Sequence, residues 1–167
     1  MNGSYDGVSD IAFEKRGDRT VLTNRYRSGN SRISAQIPTE DNTPLYFLVA
    51  TGGGFVEGEK YYNLATLEKD AHAILTTQTP NYIYKCPNGK TTSQLNEVVV
   101  KEDAFLEYYI DEVIPYEDAI YYQKTFADIK KGGSLILTDG LTAGWSKSDT
   151  PFLYNKVDLK TKILYDD

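Results

Sequence analysis

The sequence predicts an all-β fold of stacked β-hairpins in a helicoid-like arrangement, with little helix. Fourteen tyrosines stand beside many valines, isoleucines and threonines, and all of these residue types favour strands. Short runs of strand formers, such as residues 104–110, alternate with turn signals, and no apolar stripe at the helical spacing of about 3.6 residues is visible. The turn signals are Gly17-Asp18, Ser28-Gly29-Asn30, Pro87-Asn88-Gly89 and Lys131-Gly132-Gly133.

An internal repeat indicates how the strands are stacked. Residues 67–76, 100–109 and 129–138 share one pattern, which is a strand end, a charged turn, a small residue and a new strand. The small residues, Ala71, Ala104 and Gly133, are 33 and then 29 positions apart. One such unit cannot bury its apolar face alone, so the pattern predicts units piled on one another.

The same repeat predicts which side chains share a face of the stack. Alternation along a strand places two columns of side chains in the core and a third on the opposite face. In the third column Glu107 is a carboxylate where its counterparts are isoleucines, and burial of a lone carboxylate is costly. We therefore expect Glu107 to have a partner or to contact water. The core columns are Ala73, Leu106 and Leu135, and Leu75, Tyr108 and Leu137; the third column is Ile74, Glu107 and Ile136.

Length, charge and apolar content limit the classes of protein that fit. The 167 residues suit one domain, and a composition of 40% hydrophobic and 25% charged residues is ordinary for a globular protein. The net charge of −6 argues against a nucleic-acid partner, because binders of the phosphate backbone need the opposite balance. The longest apolar run, Leu45–Ala50, is far below the roughly 20 residues of a membrane span. With one cysteine and no signal-peptide pattern, we expect a soluble, cytoplasmic protein with no membrane partner.

A glycine-rich loop at residues 51–59 follows this apolar run. A strand leading into such a loop invites a phosphate-binding interpretation, but no Gly-Lys-Ser/Thr follows, and Tyr61 and Tyr62 stand where a dinucleotide fold would begin its helix. The residues favour a tight turn that needs positive φ angles. His72 and Cys86 are each the only residue of their type, and we interpret them as an ordinary histidine beside a turn and an unactivated thiol.

Acidic residues cluster around Pro115 and Tyr116. Paired carboxylates could cleave glycosides, tyrosines could stack sugars, and carboxylates could bind a divalent cation transiently. The composition of an acidic protein favours a solvated loop instead. The cluster consists of Glu107, Asp111, Glu112, Glu117 and Asp118.

Four blocks between residues 45 and 155 resemble the urease accessory protein UreD family, called UreH in some species. The order and spacing of the blocks carry the resemblance, since no single block is specific. The glycine loop departs from the family signature at its end, where Glu59 replaces the usual Asp. The blocks are Gly52-Gly-Gly-Phe-Val-Glu-Gly-Glu59, Ala73-Ile-Leu-Thr-Thr-Gln78 with Ile83-Tyr84, Leu106-Glu-Tyr108 with Ile114-Pro-Tyr116, and Thr138-Asp139 with Gly144-Trp-Ser-Lys147. The residues that the resemblance marks as structural motif are Gly52, Gly53, Gly54, Gly58, Glu59, Thr77, Gln78, Pro115 and Asp139.

The resemblance implies a function without catalysis. Family members bind nickel-free urease and recruit UreF, which docks the GTPase UreG, and nickel is thought to pass through this scaffold to the urease active site. For this chain it implies the partners apo-urease, UreF and UreG, no tightly bound cofactor and a transient passage of nickel. It also implies that residues 1–167 form a single UreD-like β domain lacking the family's C-terminal portion.

Glu107, Asp111 and Glu112 are the candidates for a nickel path, and we expect them on or beside a polar channel or a partner face. Scattered carboxylates suit a conduit, because they bind nickel less tightly than clusters of imidazoles or thiolates do. Two other hypotheses stay open from the residues. One is a carbohydrate-binding or glycan-cleaving β-protein, and the other is a free-standing β-repeat module for protein interaction.

Overall fold

The computed structural model describes residues 4–166 and forms these into thirteen strands. The described residues contain no helix, and hence none that could span a membrane. The strands are β1 (Gly7–Arg16), β2 (Arg19–Gly29), β3 (Ser31–Ile33), β4 (Leu45–Ala50), β5 (Lys60–Leu67), β6 (His72–Gln78), β7 (Asn81–Ile83), β8 (Thr92–Val100), β9 (Phe105–Tyr109), β10 (Val113–Pro115), β11 (Ile120–Ile129), β12 (Ser134–Thr138) and β13 (Lys156–Tyr165).

The strands build three sheets that the chain visits in rotation. The long sheet has the order β13-β11-β8-β5-β1-β2, the short sheet has the order β12-β9-β6-β4-β3, and the side sheet is β10-β7. Successive passes, such as β5-β6-β7 and β8-β9-β10, stack in parallel register to form a solenoid of about four turns. The prediction of an all-β fold with stacked strands in a helicoid-like arrangement is confirmed.

The repeated unit differs in one respect from a hairpin. Its two strands lie in different sheets, so the charged turn forms an arch between the long and the short sheet, and strand pairing runs between successive arches. Asp70 and Asp103 turn the chain with positive φ angles of 62° and 55°. Phe105 N donates to Ala71 O at 2.8 Å, and this bond fixes one arch on the one before. Antiparallel pairing occurs only between β1 and β2 and between β3 and β4 among the named strands of the described chain.

The predicted columns of side chains are present in the expected register. Leu106 pairs with Ala73 on one side and with Leu135 on the other. Tyr108 pairs in the same way with Leu75 and Leu137. The members on β6 and β9 are fully buried, whereas those on β12 are half-buried because this strand lies at the sheet edge. The column of Glu107 lies on the outer face of the short sheet.

The interior consists of two apolar clusters with a polar layer between them. The first cluster fills the space between the long and short sheets near the arches and includes Phe13, Leu67 and Leu106. The second includes Phe55 and Tyr121 and packs beneath the side sheet. The layer between them, here called the polar belt, consists of inward-facing residues of the long sheet: Ser9, Asn63, Gln94, Asn96, Gln123 and Thr125.

Candidate functional site

Glu107 lies on the outer face of the short sheet with two side-chain partners. His72 Nε2 lies 2.9 Å from Glu107 Oε1, and the hydroxyl of Tyr109 donates to Glu107 Oε2 at 2.6 Å. The imidazole also stacks on Phe105, with ring centroids 4.7 Å apart. The partner that the sequence analysis expected for this carboxylate is therefore provided by the two neighbouring strands β6 and β9.

These contacts set the charge state of Glu107. The hydrogen bond from Tyr109 holds the pKa of the Glu107 carboxyl below its usual value; partial burial acts in the opposite direction, and the contact with His72 lowers the pKa further. The same hydrogen bond raises the pKa of Tyr109. The outer face of the short sheet thus presents an anchored, ionised carboxylate among half-exposed apolar side chains such as Ile136 and Ile74.

Asp111 and Glu112 lie in the connection between β9 and β10. The backbone N–H of Asp111 donates to Thr77 Oγ1 at 2.9 Å, and the carbonyl of Glu112 accepts from the backbone of Asn81 at 3.0 Å. The exposed carboxylate of Glu112 makes no hydrogen bond within residues 4–166. Over this same range no three His, Cys, Asp or Glu side chains are grouped so as to hold a metal ion. The three candidate carboxylates therefore occupy separate positions.

The glycine loop is a tight turn closed by Glu59. Gly53 has a φ of 68°, as the tight-turn interpretation requires, and Gly58 N donates to Thr92 Oγ1 at 3.2 Å. Glu59 Oε2 accepts the backbone N–H of Val56 at 2.8 Å, and Glu59 Oε1 accepts Asn30 Nδ2 at 3.1 Å. The carboxylate that ends this motif thus joins the loop to the neighbouring strand connection.

A small cavity lies where the motif residues meet the polar belt. Its volume is about 30 Å³, enough for a water molecule. Asn81 is buried, and its Nδ2 has no hydrogen-bond partner among the described residues. A polar cavity of this size suits a single water molecule and is too small for an organic ligand. The lining includes Ser9, Ser31, Asn63, Thr77, Gln78, Asn81 and Gln94.

The polar belt is a connected network of amides and hydroxyls. Asn96 Oδ1 accepts from Asn63 Nδ2 at 2.9 Å and from Gln94 Nε2 at 2.8 Å. Asn96 Nδ2 donates in turn to Thr125 Oγ1 at 3.2 Å. Sequence reasoning missed this feature. Its signal is the change from polar to apolar residues at alternate positions of β8, where Gln94 and Asn96 precede Val98.

The remaining motif residues lie at the far end of the belt and in the side sheet. Gln123 Nε2 donates to Asp139 Oδ1 at 3.1 Å, so the belt ends on an exposed carboxylate. Pro115 contributes its carbonyl, which accepts Trp145 N at 2.9 Å. The buried thiol of Cys86 accepts the backbone N–H of Ile120 at 3.3 Å, which is a structural contact.

Comparisons with known proteins give a consistent result. The family model described as UreD urease accessory protein matches residues 5–167. A urease accessory protein UreD from Streptococcus salivarius is 46% identical over 167 residues, covering all of this chain and 60% of the relative. UreD proteins from Lachnoclostridium phytofermentans and Ureaplasma parvum are 33% and 35% identical, over 98% and 95% of this chain and 60% and 54% of their own lengths. The chain thus spans about 60% of the length of the first of these curated relatives.

Proposed function

The chain belongs to the UreD family of urease accessory proteins, and from this premise we propose that it is a non-catalytic scaffold in urease maturation. As a single UreD-like domain in the cytoplasm, it binds apo-urease and UreF, and UreF brings UreG. Nickel is the cargo of the assembly and passes the scaffold without being held tightly. The curated relatives are named accessory proteins, which favours this role over carbohydrate binding or cleavage.

The observation that carries the proposal is the outer face of the short sheet. This face mixes half-exposed apolar side chains, including Ile136 at 42% and Tyr109 at 37% exposure, with the anchored carboxylate of Glu107. Apolar contact area around a fixed charge suits recognition of a protein surface, where packing supplies affinity and the charge fixes orientation. Parallel stacking holds the side chains of successive turns in a fixed array.

The polar belt supports the passage of nickel. Its donors and acceptors are neutral amides and hydroxyls, which bind nickel more weakly than imidazole or thiolate groups do. The belt also meets the cavity of about 30 Å³ at one end and the Asp139 carboxylate at the other. A transfer route needs weak sites of this kind, because an ion that binds tightly is not released.

Co-expression tests the proposal. The chain is produced with apo-urease, UreF and UreG, and co-purification, nickel content of urease and urease activity are measured. We expect co-purification with the wild-type chain and its loss with Ile136→Asp. Tyr26→Asp, at an exposed position on the edge strand β2, is the control and retains binding.

Absence of the wild-type chain from the purified assembly, together with unchanged nickel loading when it is omitted, would refute the proposal. Binding without nickel loading would instead favour the interaction module considered from the sequence. Equal loss of binding in Ile136→Asp and Tyr26→Asp would contradict the assignment of the short sheet as the docking face.

A further inference from the structure

Four aromatic side chains form a continuous surface on and beside the side sheet. They come from three successive turns of the solenoid, because Tyr116 N donates to Ile83 O at 2.8 Å and Trp145 N donates to Pro115 O at 2.9 Å. Tyr116 and Trp145 also form a parallel bridge beyond the named strands. The set, here called the aromatic ladder, is Tyr82, Tyr84, Tyr116 and Trp145.

The rings of the aromatic ladder form ridges. Tyr84 meets Tyr116 edge to face, with centroids 5.2 Å apart and planes at 89°, and Tyr82 meets Tyr116 at 85°. Trp145 lies 4.9 Å from Tyr116 with planes at 40°. Rings that meet at right angles leave grooves between their edges. Such grooves accommodate compact, puckered groups better than a single extended flat surface would.

Three members of the ladder, Tyr84, Tyr116 and Trp145, line a cleft open to solvent. Trp145 is 50% exposed, and the volume of the cleft is about 460 Å³. This volume lies within the usual range of ligand sites. Lys85, Glu117, Asp118 and Lys147 provide the charges of its lining.

Two glycines of the sequence motifs are required by the ladder. A Cβ atom at Gly54 would lie 2.8 Å from Tyr84 Cε2 and 2.9 Å from Tyr82 O, so only glycine lets the two tyrosines pack on the loop. A Cβ atom at Gly144 would collide with the carbonyl of Pro115, which accepts the N–H of Trp145. The hydroxyl of Tyr84 donates to Gly53 O at 3.1 Å and fixes the ring further. The ladder is therefore held in place before any ligand arrives.

We propose that the aromatic ladder binds an extended, proline-containing segment of a partner protein. Pyrrolidine rings are compact and puckered, and a polyproline II segment is already ordered, so docking on an aromatic groove costs little conformational entropy. In the proposed maturation scaffold, the cleft is the site for one class of partner segment. The inference rests on the proposed function only for which protein carries that segment. A sugar is disfavoured because the Tyr84 hydroxyl proton is already committed to Gly53 and the neighbouring rings meet edge to face.

The charges of the cleft favour acidic residues at every third position of the segment. Lys85 follows Tyr84 on one outer rung and Lys147 follows Trp145 on the other, and neither lysine forms an ion pair within the described part of the chain. Two strand spacings are about 9.6 Å. One polyproline II turn of three residues is about 9.3 Å. Because Trp145 bridges to Tyr116, Lys147 lies one residue further along its rung than the position level with Lys85. The long lysine side chains span this offset, so carboxylates one turn apart contact both lysines, while a proline lies over the middle rung of Glu117 and Asp118.

The single tryptophan makes the test direct, since Trp145 is the only indole in the sequence. The full chain is titrated with a peptide of repeated Pro-Pro-Glu triplets while tryptophan fluorescence is recorded. We expect a saturable change that repeated Ala-Ala-Glu and Pro-Pro-Lys peptides do not produce. In calorimetry, Trp145→Ala lowers the affinity by roughly tenfold or more, the scale of an aromatic anchor, while the control Tyr26→Ala leaves it unchanged. The double variant Lys85→Glu with Lys147→Glu prefers Pro-Pro-Lys.

Several results would overturn the inference. They are the absence of a saturable signal with Pro-Pro-Glu, equal binding by Trp145→Ala, or saturable binding of xylan or cellulose oligosaccharides in place of the peptide. Co-purification with urease and UreF is measured on the same wild-type sample. Retained co-purification without peptide binding refutes only the cleft, whereas lost co-purification with intact peptide binding refutes only the maturation role.

Discussion

His72 and Glu107 join two neighbouring turns of the solenoid through a contact of 2.9 Å between the imidazole Nε2 and the carboxylate Oε1. The two side chains come from β6 and β9, which pair in parallel on the short sheet. Both are partly exposed, at 35% and 19%, so the pair remains within reach of a docking protein. Glu107 is therefore both a contact between turns and the fixed charge of the proposed partner face.

Glu107→Gln removes the charge while keeping the shape of the side chain. We expect weaker urease activation in a cell assay from a protein that still folds, because the amide oxygen still accepts a hydrogen bond from Tyr109. The matched control is Glu102→Gln on an exposed arch, which leaves activation unchanged. Full activation by the Glu107 variant would contradict the placement of Glu107 on a partner face.

Acid pH should remove the contribution of Glu107 to stability. Its pKa is lowered in the folded state, mainly by the hydrogen bond from Tyr109, so the folded protein binds this proton less readily than the unfolded chain. The stabilisation is present above the unfolded pKa, near 4.5, and is lost as the pH falls through the folded value. Urea unfolding of wild type and Glu107→Gln should show a difference at neutral pH that shrinks below about pH 4.5. A difference that grows in acid would contradict this assignment.

Tyr108 and Tyr121 are both fully buried but differ in their hydroxyl partners. The hydroxyl of Tyr108 has no hydrogen-bond partner among residues 4–166, whereas that of Tyr121 donates to Gln123 Oε1 at 3.0 Å. We expect Tyr108→Phe to raise the free energy of unfolding by about 1 kcal/mol and Tyr121→Phe to lower it by a similar amount. Chemical denaturation of both variants checks the opposite signs. Destabilisation by Tyr108→Phe would indicate a hydrogen-bond partner for that hydroxyl.

Gly53→Ala should lower the thermal stability. Gly53 has a φ of 68°, and an alanine in this left-handed conformation costs about 1 kcal/mol. No protein atom lies closer than 3.9 Å to the added methyl group, so backbone strain alone sets the effect. Gly140→Ala is the control, since Gly140 has no positive φ and a Cβ there meets only Glu112 at an ordinary distance. Equal melting temperatures for Gly53→Ala and wild type would disprove the strain argument.

Asn96→Ala tests whether the polar belt contributes to stability. Asn96 is buried and bonds to Asn63, Gln94 and Thr125, so its loss leaves several interior polar groups without a partner. We expect a loss of about 2–3 kcal/mol in the free energy of unfolding. Ser93→Ala on the outward side of the same strand should cost much less. A variant as stable as wild type would indicate that water replaces the amide.

The internal repeat allowed the stacking of the strands to be predicted from the sequence, whereas the polar belt was not predicted. A small residue recurs at each arch, namely Ala71, Ala104 and Gly133. Inward-facing and outward-facing side chains alternate in the same phase after each of them, and this fixes the register of Leu106 with Ala73. The same local pattern fits a hairpin or an arch, so the separation of the two strands into different sheets depends on distant pairing. In the sequence, Asn96 and Gln94 look like outward-facing polar residues, because only the structure shows the hydrogen bonds that they make in the interior.

The aromatic ladder was beyond sequence reasoning for a related reason. Tyr84 and Trp145 are 61 positions apart, and Trp145 is brought beside Tyr116 by a single bridge rather than by a full strand. Glu107 was recognised because it broke a column of isoleucines. No such contrast marks a surface tyrosine in a chain with fourteen of them.

Because each rung of the long sheet bonds only to the rungs on either side, loosening at one end does not reach the other directly. Among residues 4–166, β2 and β13 each pair with one strand of the long sheet, so local opening costs less there than at a strand paired on both sides. Strand β8, which alternates buried and half-buried residues along its whole length, is among the last to open. Local opening of an outer strand therefore leaves the pairing of the central strands intact.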